Sequence, residues 1–388
     1  MTKKIKVMVV NPFAQETSGN DEVMTRLMAK IDKGLFEFVV VQPAESRYSE
    51  IYRDLGAVVE TIAMNIIRRN LRPKFVASYF LNFVPTIARF VELIKRHKVN
   101  IVHTNTTQIL GAGAAAKIMG LPSIYHVHSI SIEKPEWVIK PMTYWIKNTA
   151  DLLIANSSAS KEVFVKRGFP HEKVRILPNP IVVEKYDMGG AREEVRKEWG
   201  IKDEPLIGLI ARIARVKSLE LFIEASAITA RNHPYVRFAI VGGAHGEENE
   251  EYLEELKSLA QKLGVGDRLI FVGRRDDIHR IVSAFDIGTL TSRSEGFGLA
   301  LVEFMSAAKP VVGTSVGGVL DIITDGVDGY LVPYGDAGAI ASAFLKLLSS
   351  PATAMEMGKR GREKVERQFN AVTLAEKLKG IYLSLNKY

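Results

Sequence analysis

Short apolar runs alternate with amphipathic stretches along the whole chain. Runs of this length, separated by helical patterns, are typical of a parallel β-sheet whose strands are joined by helices. The pattern therefore predicts an α/β protein. The predicted strands are Ile5–Val10, Phe36–Val41, Asn100–His103, Ser123–Val127, Leu152–Asn156, Leu206–Ala211, Val236–Val241, Leu269–Val272, Asp286–Thr291 and Pro310–Gly313.

A charged segment, Gly189–Asp203, separates two series of predicted strands. We predict two Rossmann-like domains, which comprise residues 1–188 and 189–369. We expect a last amphipathic helix, at about residues 370–388, to pack back on the first domain. Ligands of open α/β sheets bind beyond the carboxyl ends of the strands, so two such domains facing each other would hold a ligand in the cleft between them.

Composition narrows the class of protein. The chain has 388 residues, 47% of them hydrophobic and 25% charged, as in a soluble globular protein of roughly two to three domains. The absence of cysteine excludes disulfides, thiolate metal ligands and cysteine nucleophiles. A net charge of +8 favours anionic partners such as nucleotide phosphates or an anionic lipid surface. No recognition motif for nucleic acid accompanies this charge, so we expect no nucleic-acid partner.

The length of the apolar windows indicates whether the chain is secreted, spans a membrane or stays in the cytoplasm. The first apolar run is too short for a secretory signal peptide, and it predicts a buried strand instead. The most apolar window, Val76–Ile94, is interrupted by Asn82, Pro85, Arg89 and Glu92. No window predicts a membrane-spanning helix. We expect a cytoplasmic protein.

Two carboxylates and a glycine pair form one short unit, Ser292–Glu303, directly after a predicted strand. If a helix begins near Gly298, Glu303 lies about one and a half turns inside it and Glu295 lies on the preceding loop. In a strand-turn-helix unit of this kind, the backbone amides and the positive end of the helix dipole point to the same place. An anion can bind there. The unit predicts a site for a polar, phosphorylated ligand between the two glutamates.

Two cations, Arg212 and Lys217, follow the predicted strand Leu206–Ala211. Cations at the carboxyl end of a strand suit a diphosphate. An isolated pair of this kind is more often a set of solvated charges at a helix start. The Ser292–Glu303 unit in the same half favours the ligand-binding interpretation.

The second half resembles the family 4 retaining glycosyltransferases (glycosyl transferases group 1), which have the two-domain GT-B fold. The ordered motifs, which extend from Ile207 to Pro333, are more specific together than the two-glutamate motif alone. The resemblance implies two Rossmann-like domains facing across a cleft. The matching residues are the Arg212 to Lys217 spacing, Val272-Gly273, Ser292, Glu295-Gly296-Phe297-Gly298 with Glu303, Lys309-Pro310-Val311-Val312, Gly317-Gly318 and Asp325-Gly326-Val327-Asp328-Gly329.

The resemblance implies a role for each matched residue in the donor site. Arg212 and Lys217 would hold the diphosphate of a nucleotide sugar. Glu295 would bind the sugar hydroxyls, and Glu303 the ribose. Backbone amides would contact the phosphate and sugar at Gly296, Phe297, Gly298 and Leu299. The nucleotide base would lie near Gly273 and Arg274.

The first half matches the family more loosely. His128 stands at a strand end where the family commonly has a histidine facing the reaction centre, and we expect its neighbour His126 to point to the other face. A histidine in such a position is as often structural as functional. Gly19 matches a glycine loop of the family.

Three positions depart from the family pattern. The usual glycine pair of the first loop is Ser18-Gly19-Asn20 here, and the usual asparagine-glycine at the hinge is Asn179-Pro180. Ser218 replaces a common glycine after Lys217. We interpret the last two as tolerable local changes.

The segment Asn65 to Lys98 combines basic residues with aromatic ones, and Glu92 is its only acidic residue. This composition suits a surface helix on anionic lipid, and related transferases often use lipid-linked acceptors. An ordinary helix whose apolar face packs on the sheet is the alternative. The basic residues are Arg68, Arg69, Arg72, Lys74, Arg89, Lys95, Arg96 and Lys98.

Two glycine-rich sites resemble phosphate loops. Gly111-Ala-Gly113 fits a dinucleotide pattern, with Glu133 beyond it, but it begins too far after the strand near His103, so helix-packing glycines are favoured. Gly242-Gly243 follows a strand but lacks a complete phosphate-loop pattern. No cluster has metal-ligand spacing, so we expect no metal and no required cofactor.

The resemblance implies a retaining hexosyltransferase, and the absence of metal-ligand spacing predicts that it is metal-independent. It would move a sugar from a UDP- or GDP-sugar to an acceptor held by the first domain. The acceptor would be a sugar, a lipid-linked molecule or a precursor of a cell-surface polysaccharide. We expect the protein in the cytoplasm, either free or bound peripherally to the cytoplasmic face of the membrane. Three alternatives stay open. They are a glycoside phosphorylase or synthase on a soluble acceptor, an NAD-dependent oxidoreductase, and a non-catalytic sugar-nucleotide-binding protein.

Overall fold

The computed structural model describes residues 4–12, 19–64, 66–67, 73–128, 136–187 and 189–386. They form two compact units. The N-terminal unit comprises Met1–Pro180 with Ala371–Tyr388, and the C-terminal unit comprises Ile181–Asn370.

The N-terminal unit contains, within its described residues, a parallel seven-stranded sheet in the order β3-β2-β1-β4-β5-β6-β7. Its strands are β1 (Ile5–Val10), β2 (Phe36–Gln42), β3 (Val58–Thr61), β4 (Ile101–Thr104), β5 (Ser123–Val127), β6 (Leu152–Ala155) and β7 (Val174–Ile176). Its helices are α1 (Gly19–Lys30), α2 (Arg47–Asp54), α3 (Pro73–His97), α4 (Gly111–Ile118), α5 (Glu136–Thr149), α6 (Ser158–Lys166) and α15 (Ala371–Leu385).

The C-terminal unit contains, in the described part of the chain, a parallel six-stranded sheet in the order β10-β9-β8-β11-β12-β13. Its strands are β8 (Leu206–Ile210), β9 (Arg237–Val241), β10 (Leu269–Gly273), β11 (Ile287–Leu290), β12 (Val311–Thr314) and β13 (Tyr330–Val332). Its helices are α7 (Ala191–Glu198), α8 (Leu219–Asn232), α9 (Glu247–Lys262), α10 (Ile278–Ile281), α11 (Leu299–Ser306), α12 (Val319–Ile322), α13 (Ala337–Ser349) and α14 (Pro351–Gln368).

The central strands are mostly apolar and are buried on both faces. Every residue of β4, β5, β6, β8, β11 and β12 is buried. Parallel sheets need this composition because their connecting helices cover both faces. The prediction of an α/β fold with two Rossmann-like domains is confirmed.

Each sheet has a point where the strand order reverses. In the N-terminal unit it lies between β1 and β4, and in the C-terminal unit between β8 and β11. The loops after these strands diverge to opposite sides of the sheet, and the crevice between them is where such folds bind ligands. The candidate ligand-binding loops of this fold are therefore those after β1, β4, β8 and β11.

The units divide at Pro180, earlier than the predicted boundary at residue 188. The reason is packing, because Ile181, Val183 and Tyr186 are buried in the core of the C-terminal unit. The chain leaves that unit at Asn370, where the backbone pairs with Ile181. The two crossing segments thus lie side by side.

The last helix, α15, belongs to the N-terminal unit. Leu374, Leu378 and Tyr382 are fully buried in the same core as β1 and β2. The Tyr382 ring lies 5.5 Å from that of Phe36. The strands β3, β7 and β13 were absent from the predicted set. β7 and β13 have only three residues each, and β3 is exposed or half-buried along its length, so none of them gives a buried apolar run of the kind that predicts a strand.

Candidate active site

The loops after β8 and β11 lie side by side at the switch point of the C-terminal unit. Arg293 donates its backbone N–H to the Val216 carbonyl oxygen at 2.9 Å. The Thr291 hydroxyl faces the carbonyl oxygens of Lys217 and Ser218 at 3.1 and 3.0 Å. These contacts hold the loop that carries Lys217 against the loop that carries Glu295.

Lys217 and Glu295 form an ion pair within this pair of loops. The Lys217 Nζ lies 2.6 Å from Glu295 Oε2, and the two side chains are only 18% and 14% exposed. The Ser292 hydroxyl donates to the same carboxylate oxygen at 3.0 Å. Because the pair is mostly shielded from water, its electrostatic attraction is stronger than that of an exposed pair. The structure therefore brings together three of the residues that the sequence singled out.

Ser218 explains one departure from the family pattern. It follows Lys217 in the left-handed conformation, with φ of 48°. This conformation costs a residue with a Cβ roughly 1–2 kcal/mol, which glycine avoids. The backbone conformation at this position thus favours glycine, and the chain accommodates serine there at a modest cost.

The helix of the Ser292–Glu303 unit begins where the sequence predicts. Helix α11 starts at Leu299, and Gly298 caps it with φ of 105°, a value that favours glycine. Glu303 lies inside α11 and is half-buried. Phe297 is buried, with its ring 5.6 Å from that of Phe369, so only its backbone is available to a ligand.

A second glycine pair supports the Glu295 loop from behind. The Gly318 backbone N–H donates to the Glu295 carbonyl oxygen at 2.9 Å. A Cβ on Gly317 would lie 2.0 Å from that oxygen, and one on Gly318 would lie 2.5 Å from the Gly296 oxygen. Gly317-Gly318 is one of the motifs that match the family, but its position behind the Glu295 loop was not predicted. The sequence signal that could have indicated this role is a glycine pair that follows a strand, here β12.

Gly273 and Arg274 lie at the end of β10. Gly273 has φ of 80° and accepts a hydrogen bond from the backbone of Gly242 at 2.9 Å. Arg274 is exposed. In the sheet order, β10 and β11 are three strand spacings apart, roughly 14 Å. This separation suits an elongated ligand that extends from Gly273 to Glu295.

Arg212 lies two residues beyond β8 and is exposed. Within the described part of the chain, its guanidinium makes no ion pair, in contrast to Lys217. Arg215, in the same loop, pairs with Glu255 at 2.7 Å instead. Arg212 is thus a cation available to an anion at this end of the sheet.

In the N-terminal unit, His128 lies directly after β5 and contacts a residue of the loop after β4, at the switch point of the sheet. Its Nε2 lies 2.6 Å from the Oδ1 of Asn105, which follows β4. Burial lowers the pKa of His128 to about 3, so the imidazole is neutral near pH 7. Gly19 opens α1, and a Cβ there would meet no atom of the described residues within 4 Å.

The expectation that His126 points away from His128 is wrong. Their ring centroids lie 4.1 Å apart, because residues two apart along a strand share a face. His126 also lies 5.3 Å from the ring of His103, whose Nδ1 is 2.7 Å from the Tyr382 hydroxyl. Burial lowers the pKa of His103 to about 3 and that of His126 well below its usual value. The three rings lie next to one another, tilted by 36° and 38°, with His103 and His126 fully buried.

The predicted lipid-binding segment, Asn65 to Lys98, is only partly described. Arg68, Arg69 and Arg72 lie outside the described residues. Helix α3 exposes Leu81 and Val84, at 78% and 72%, while Phe90 is fully buried against the sheet. None of the helices in the described part of the chain combines the length and apolar character that crossing a bilayer requires.

The two sites that resemble phosphate loops have packing roles. A Cβ on Gly113 would lie 2.5 Å from the Tyr125 hydroxyl, so this glycine admits a side chain of the sheet beneath α4. A Cβ on Gly242 would lie 1.8 Å from the Ala211 carbonyl oxygen. The described residues contain no group of three or more His, Asp or Glu side chains suited to a metal ion.

Two family models match the chain, one in each half. Residues 23–185 match the model described as Glycosyltransferase Family 4. Residues 191–364 match the model described as Glycosyl transferases group 1. Together the two matched ranges cover most of the chain.

Individual relatives match most of the chain, and a solved structure shares its fold. UDP-Gal:alpha-D-GlcNAc-diphosphoundecaprenol alpha-1,3-galactosyltransferase of Escherichia coli is 27% identical over 78% of this chain and 83% of its own. N-acetyl-alpha-D-glucosaminyl L-malate synthase of Bacillus anthracis is 27% identical over 73% of this chain and 67% of its own. The structure of Anabaena Alr3699/HepE in complex with UDP-glucose superimposes with a TM-score of 0.83 at 23% identity, over 98% of this chain and 100% of that one.

Proposed function

Because the chain belongs to the family 4 glycosyltransferases of the GT-B fold, which use nucleotide sugars, we propose that it is a retaining transferase that uses a UDP-sugar. The observation that carries this proposal is the joined pair of loops at the β8–β11 switch point. They place a shielded ammonium, a carboxylate and a helix N-terminus together. UDP or UDP-glucose is present in structures that share this fold, which supports UDP as the nucleotide.

The donor binds along the carboxyl end of the C-terminal sheet in this proposal. The base lies near Gly273 and Arg274, the ribose at Glu303 and the sugar hydroxyls at Glu295. Arg212 and Lys217 hold the diphosphate, supported by backbone amides at the start of α11. The roughly 14 Å from β10 to β11 is long enough for this arrangement.

The reaction breaks the bond between the anomeric carbon and the diphosphate oxygen and forms one to an acceptor hydroxyl oxygen. Negative charge grows on the leaving diphosphate, where Lys217 and Arg212 stabilise it. Retention requires the acceptor to approach the face that the diphosphate leaves. The released diphosphate takes the proton of the acceptor hydroxyl, so Glu295 orients the sugar and no protein nucleophile is needed.

We assign the acceptor to the N-terminal unit, at the end of its sheet where His128 lies. A lipid-linked acceptor is supported by two observations. The E. coli relative acts on a diphosphoundecaprenol, as its name states. Helices α3 and α5, which touch through Phe83 and Trp145, expose Leu81 and Val84 on one and Trp137 and Tyr144 on the other. Apolar side chains on adjacent helices of a basic chain suit an anionic lipid surface.

Vesicle flotation tests the lipid surface. We expect the protein to float with anionic vesicles at low salt and less at high salt, and not with neutral ones. Replacing Leu81 and Val84 by serine should abolish flotation. Met355→Ser, at a 73% exposed site of the C-terminal unit, is the matched control. No binding by the unaltered protein would contradict the lipid-surface proposal and leave the donor site untouched.

Donor hydrolysis tests the transferase site without knowledge of the acceptor. We expect slow release of UDP from one or more UDP-sugars and none from GDP-sugars. Lys217→Ala should reduce turnover about 100-fold. Arg215→Ala, in the same loop but paired with Glu255, should not. Equal losses in both variants would contradict the role given to Lys217.

Three assays separate the remaining alternatives: phosphorolysis, donor hydrolysis and thermal stabilisation. A glycoside phosphorylase would consume disaccharide with inorganic phosphate, and a non-catalytic sugar-nucleotide-binding protein would leave every donor intact. An oxidoreductase would be stabilised against heat by NAD, whereas we expect stabilisation by UDP. Turnover unchanged by EDTA would support a metal-independent mechanism.

A further inference from the structure

A chain of buried polar side chains connects β1, α1 and β4 to His128. Asn11 follows β1, Asp21 lies in the first turn of α1 and Asn105 follows β4, and all three are fully buried. They lie at the switch point of the N-terminal sheet, beside the histidine that the sequence singled out. A buried amide can be oriented in two ways, and its hydrogen-bond partners determine whether its oxygen or its nitrogen faces a given neighbour.

The Asp21 carboxylate decides the orientation of Asn11. Asp21 Oδ1 accepts from Asn11 Nδ2 at 2.6 Å and from the Tyr52 hydroxyl at 3.0 Å. Gln42 Nε2 lies 3.4 Å from the same oxygen. Burial and the nearby carboxylate raise the pKa of Tyr52, which keeps its hydroxyl a donor. With its nitrogen turned to the carboxylate, Asn11 presents Oδ1 to Asn105.

Two acceptors then decide the orientation of Asn105. Its Nδ2 donates to Asn11 Oδ1 at 2.9 Å and to the Asn20 carbonyl oxygen at 2.9 Å. A backbone carbonyl can only accept, so this second contact settles the amide independently of Asn11. Asn105 Oδ1 therefore faces His128 Nε2, and at 2.6 Å this contact requires a hydrogen on the imidazole nitrogen.

We propose that Asn105 is a positioning residue that holds His128 as the neutral tautomer with its hydrogen on Nε2, and that Asn11 and Asp21 orient Asn105. Nδ1 then carries the lone pair, so the Asn179 side chain, which also contacts the His128 ring, must turn its amide nitrogen toward Nδ1. His128 is thereby a fixed neutral group, and the acceptor proton goes to the leaving diphosphate. The part of this inference that concerns turnover rests on the proposed function, whereas the tautomer does not.

Nitrogen NMR of the full chain tests the tautomer directly. In protein labelled with ¹⁵N-histidine, long-range ¹H–¹⁵N spectra at pH 7 distinguish a protonated ring nitrogen from an unprotonated one, and His128→Gln identifies the signals of His128. We expect a pyrrole-type shift for Nε2 and a pyridine-type shift for Nδ1. The reverse pattern, or two averaged shifts, would overturn the proposal.

Asn105→Ala tests the positioning role. We expect the two nitrogen shifts of His128 to move toward each other, kcat to fall about tenfold or more, and KM for the donor to change little because the donor site lies in the C-terminal unit. Asn148→Ala, at an exposed position of α5, should leave both the shifts and kcat unchanged. Unaltered shifts or unaltered kcat in Asn105→Ala would overturn the role.

The two proposals fail in different ways. If the unaltered protein hydrolyses no nucleotide sugar, the proposed function fails, and the spectrum still decides the tautomer. If it is active but the spectrum shows hydrogen on Nδ1, only the inference about Asn105 fails. If Asn105→Ala does not fold, the spectrum of the unaltered protein decides alone.

Discussion

The shielded pair of Lys217 and Glu295 shows what single residues contribute to the candidate site. Each side chain is the other's partner at 2.6 Å. A diphosphate would give the ammonium a second anionic partner and leave the carboxylate to the sugar. The two residues therefore differ in which part of the donor they bind, and substitutions should separate them.

Glu295→Gln should keep UDP binding within a few-fold of the unaltered protein and sharply reduce turnover, because Glu295 contacts the sugar and not the diphosphate. Lys217→Ala should weaken UDP binding by about tenfold or more, since a charge-assisted contact is lost. Calorimetric titration with UDP, beside steady-state kcat, measures both. Loss of UDP binding in Glu295→Gln would contradict the assignment.

At the scale of elements, the glycine pair at the end of β12 forms the support of the Glu295 loop. Gly317 and Gly326 both have positive φ, 51° and 72°. A Cβ on Gly317 would collide with the Glu295 carbonyl oxygen, whereas one on Gly326 would meet no atom of the described residues within 4 Å. The two glycines thus share a left-handed backbone conformation, but only at Gly317 would a side chain collide with its surroundings.

Gly317→Ala should abolish turnover, because the Glu295 loop must move to admit the new methyl group. Gly326→Ala should cost only the strain of its backbone conformation, about 1–2 kcal/mol of unfolding free energy, with turnover unchanged. Urea unfolding and donor hydrolysis of both variants check this. Equal effects of the two substitutions would show that backbone strain alone accounts for the loss.

The buried histidines of β4 and β5 predict acid sensitivity of the N-terminal unit. His103 and His126 have lowered pKa values in the fold and ordinary values near 6.5 when unfolded. The unfolded chain therefore binds more protons below pH 6.5, and stability is lost as pH falls through that value, by at most about 1.4 kcal/mol per pH unit for each histidine. Urea unfolding at pH 7.5 and pH 5 measures the loss.

Replacing His126 by phenylalanine should reduce that pH dependence, since one titrating group is removed. His171→Phe, at an exposed surface site, is the control and should leave the slope unchanged. An unaltered slope in His126→Phe would mean that other groups cause the acid sensitivity.

At the scale of the whole molecule, the chain completes its first unit with its last helix. Helix α15 supplies Leu374, Leu378 and Tyr382 to the core that holds β1 and β2. The Tyr382 hydroxyl also reaches His103 at 2.7 Å. The N-terminal unit is therefore continuous in space although its sequence is interrupted by the C-terminal unit.

Truncation after Asn370 should destabilise the N-terminal unit while the C-terminal unit keeps its fold. The lost helix buries three large side chains, each worth about 1.5–3 kcal/mol. Hydrogen exchange should show loss of protection in β1 and β2 and unchanged protection in β8 and β11. Equal protection of β1 in the full-length and truncated chains would contradict the role of α15.

Much of the C-terminal site was predictable because its residues are close in sequence and carry strong local signals. Glu295, Gly298 and Glu303 form one strand-turn-helix unit, and Arg212 and Lys217 follow a buried strand. The support from Gly317 was not placed, since it depends on a contact across the sheet. In the N-terminal unit, Asn11 and Asn105 carry no motif, and only the pairing of β1 with β4 brings them together.

The sequence by itself determined the α/β class, the central strands, the start of α11 and the family. All of these follow from local periodicity, turn glycines and the order of short motifs. Tertiary structure alone decided the boundary at Pro180, the shared face of His126 and His128, and the polar chain from Asp21 to His128. These depend on which residues pack together at long separation, and apolar burial and hydrogen bonding across the sheet settle that only in the folded chain.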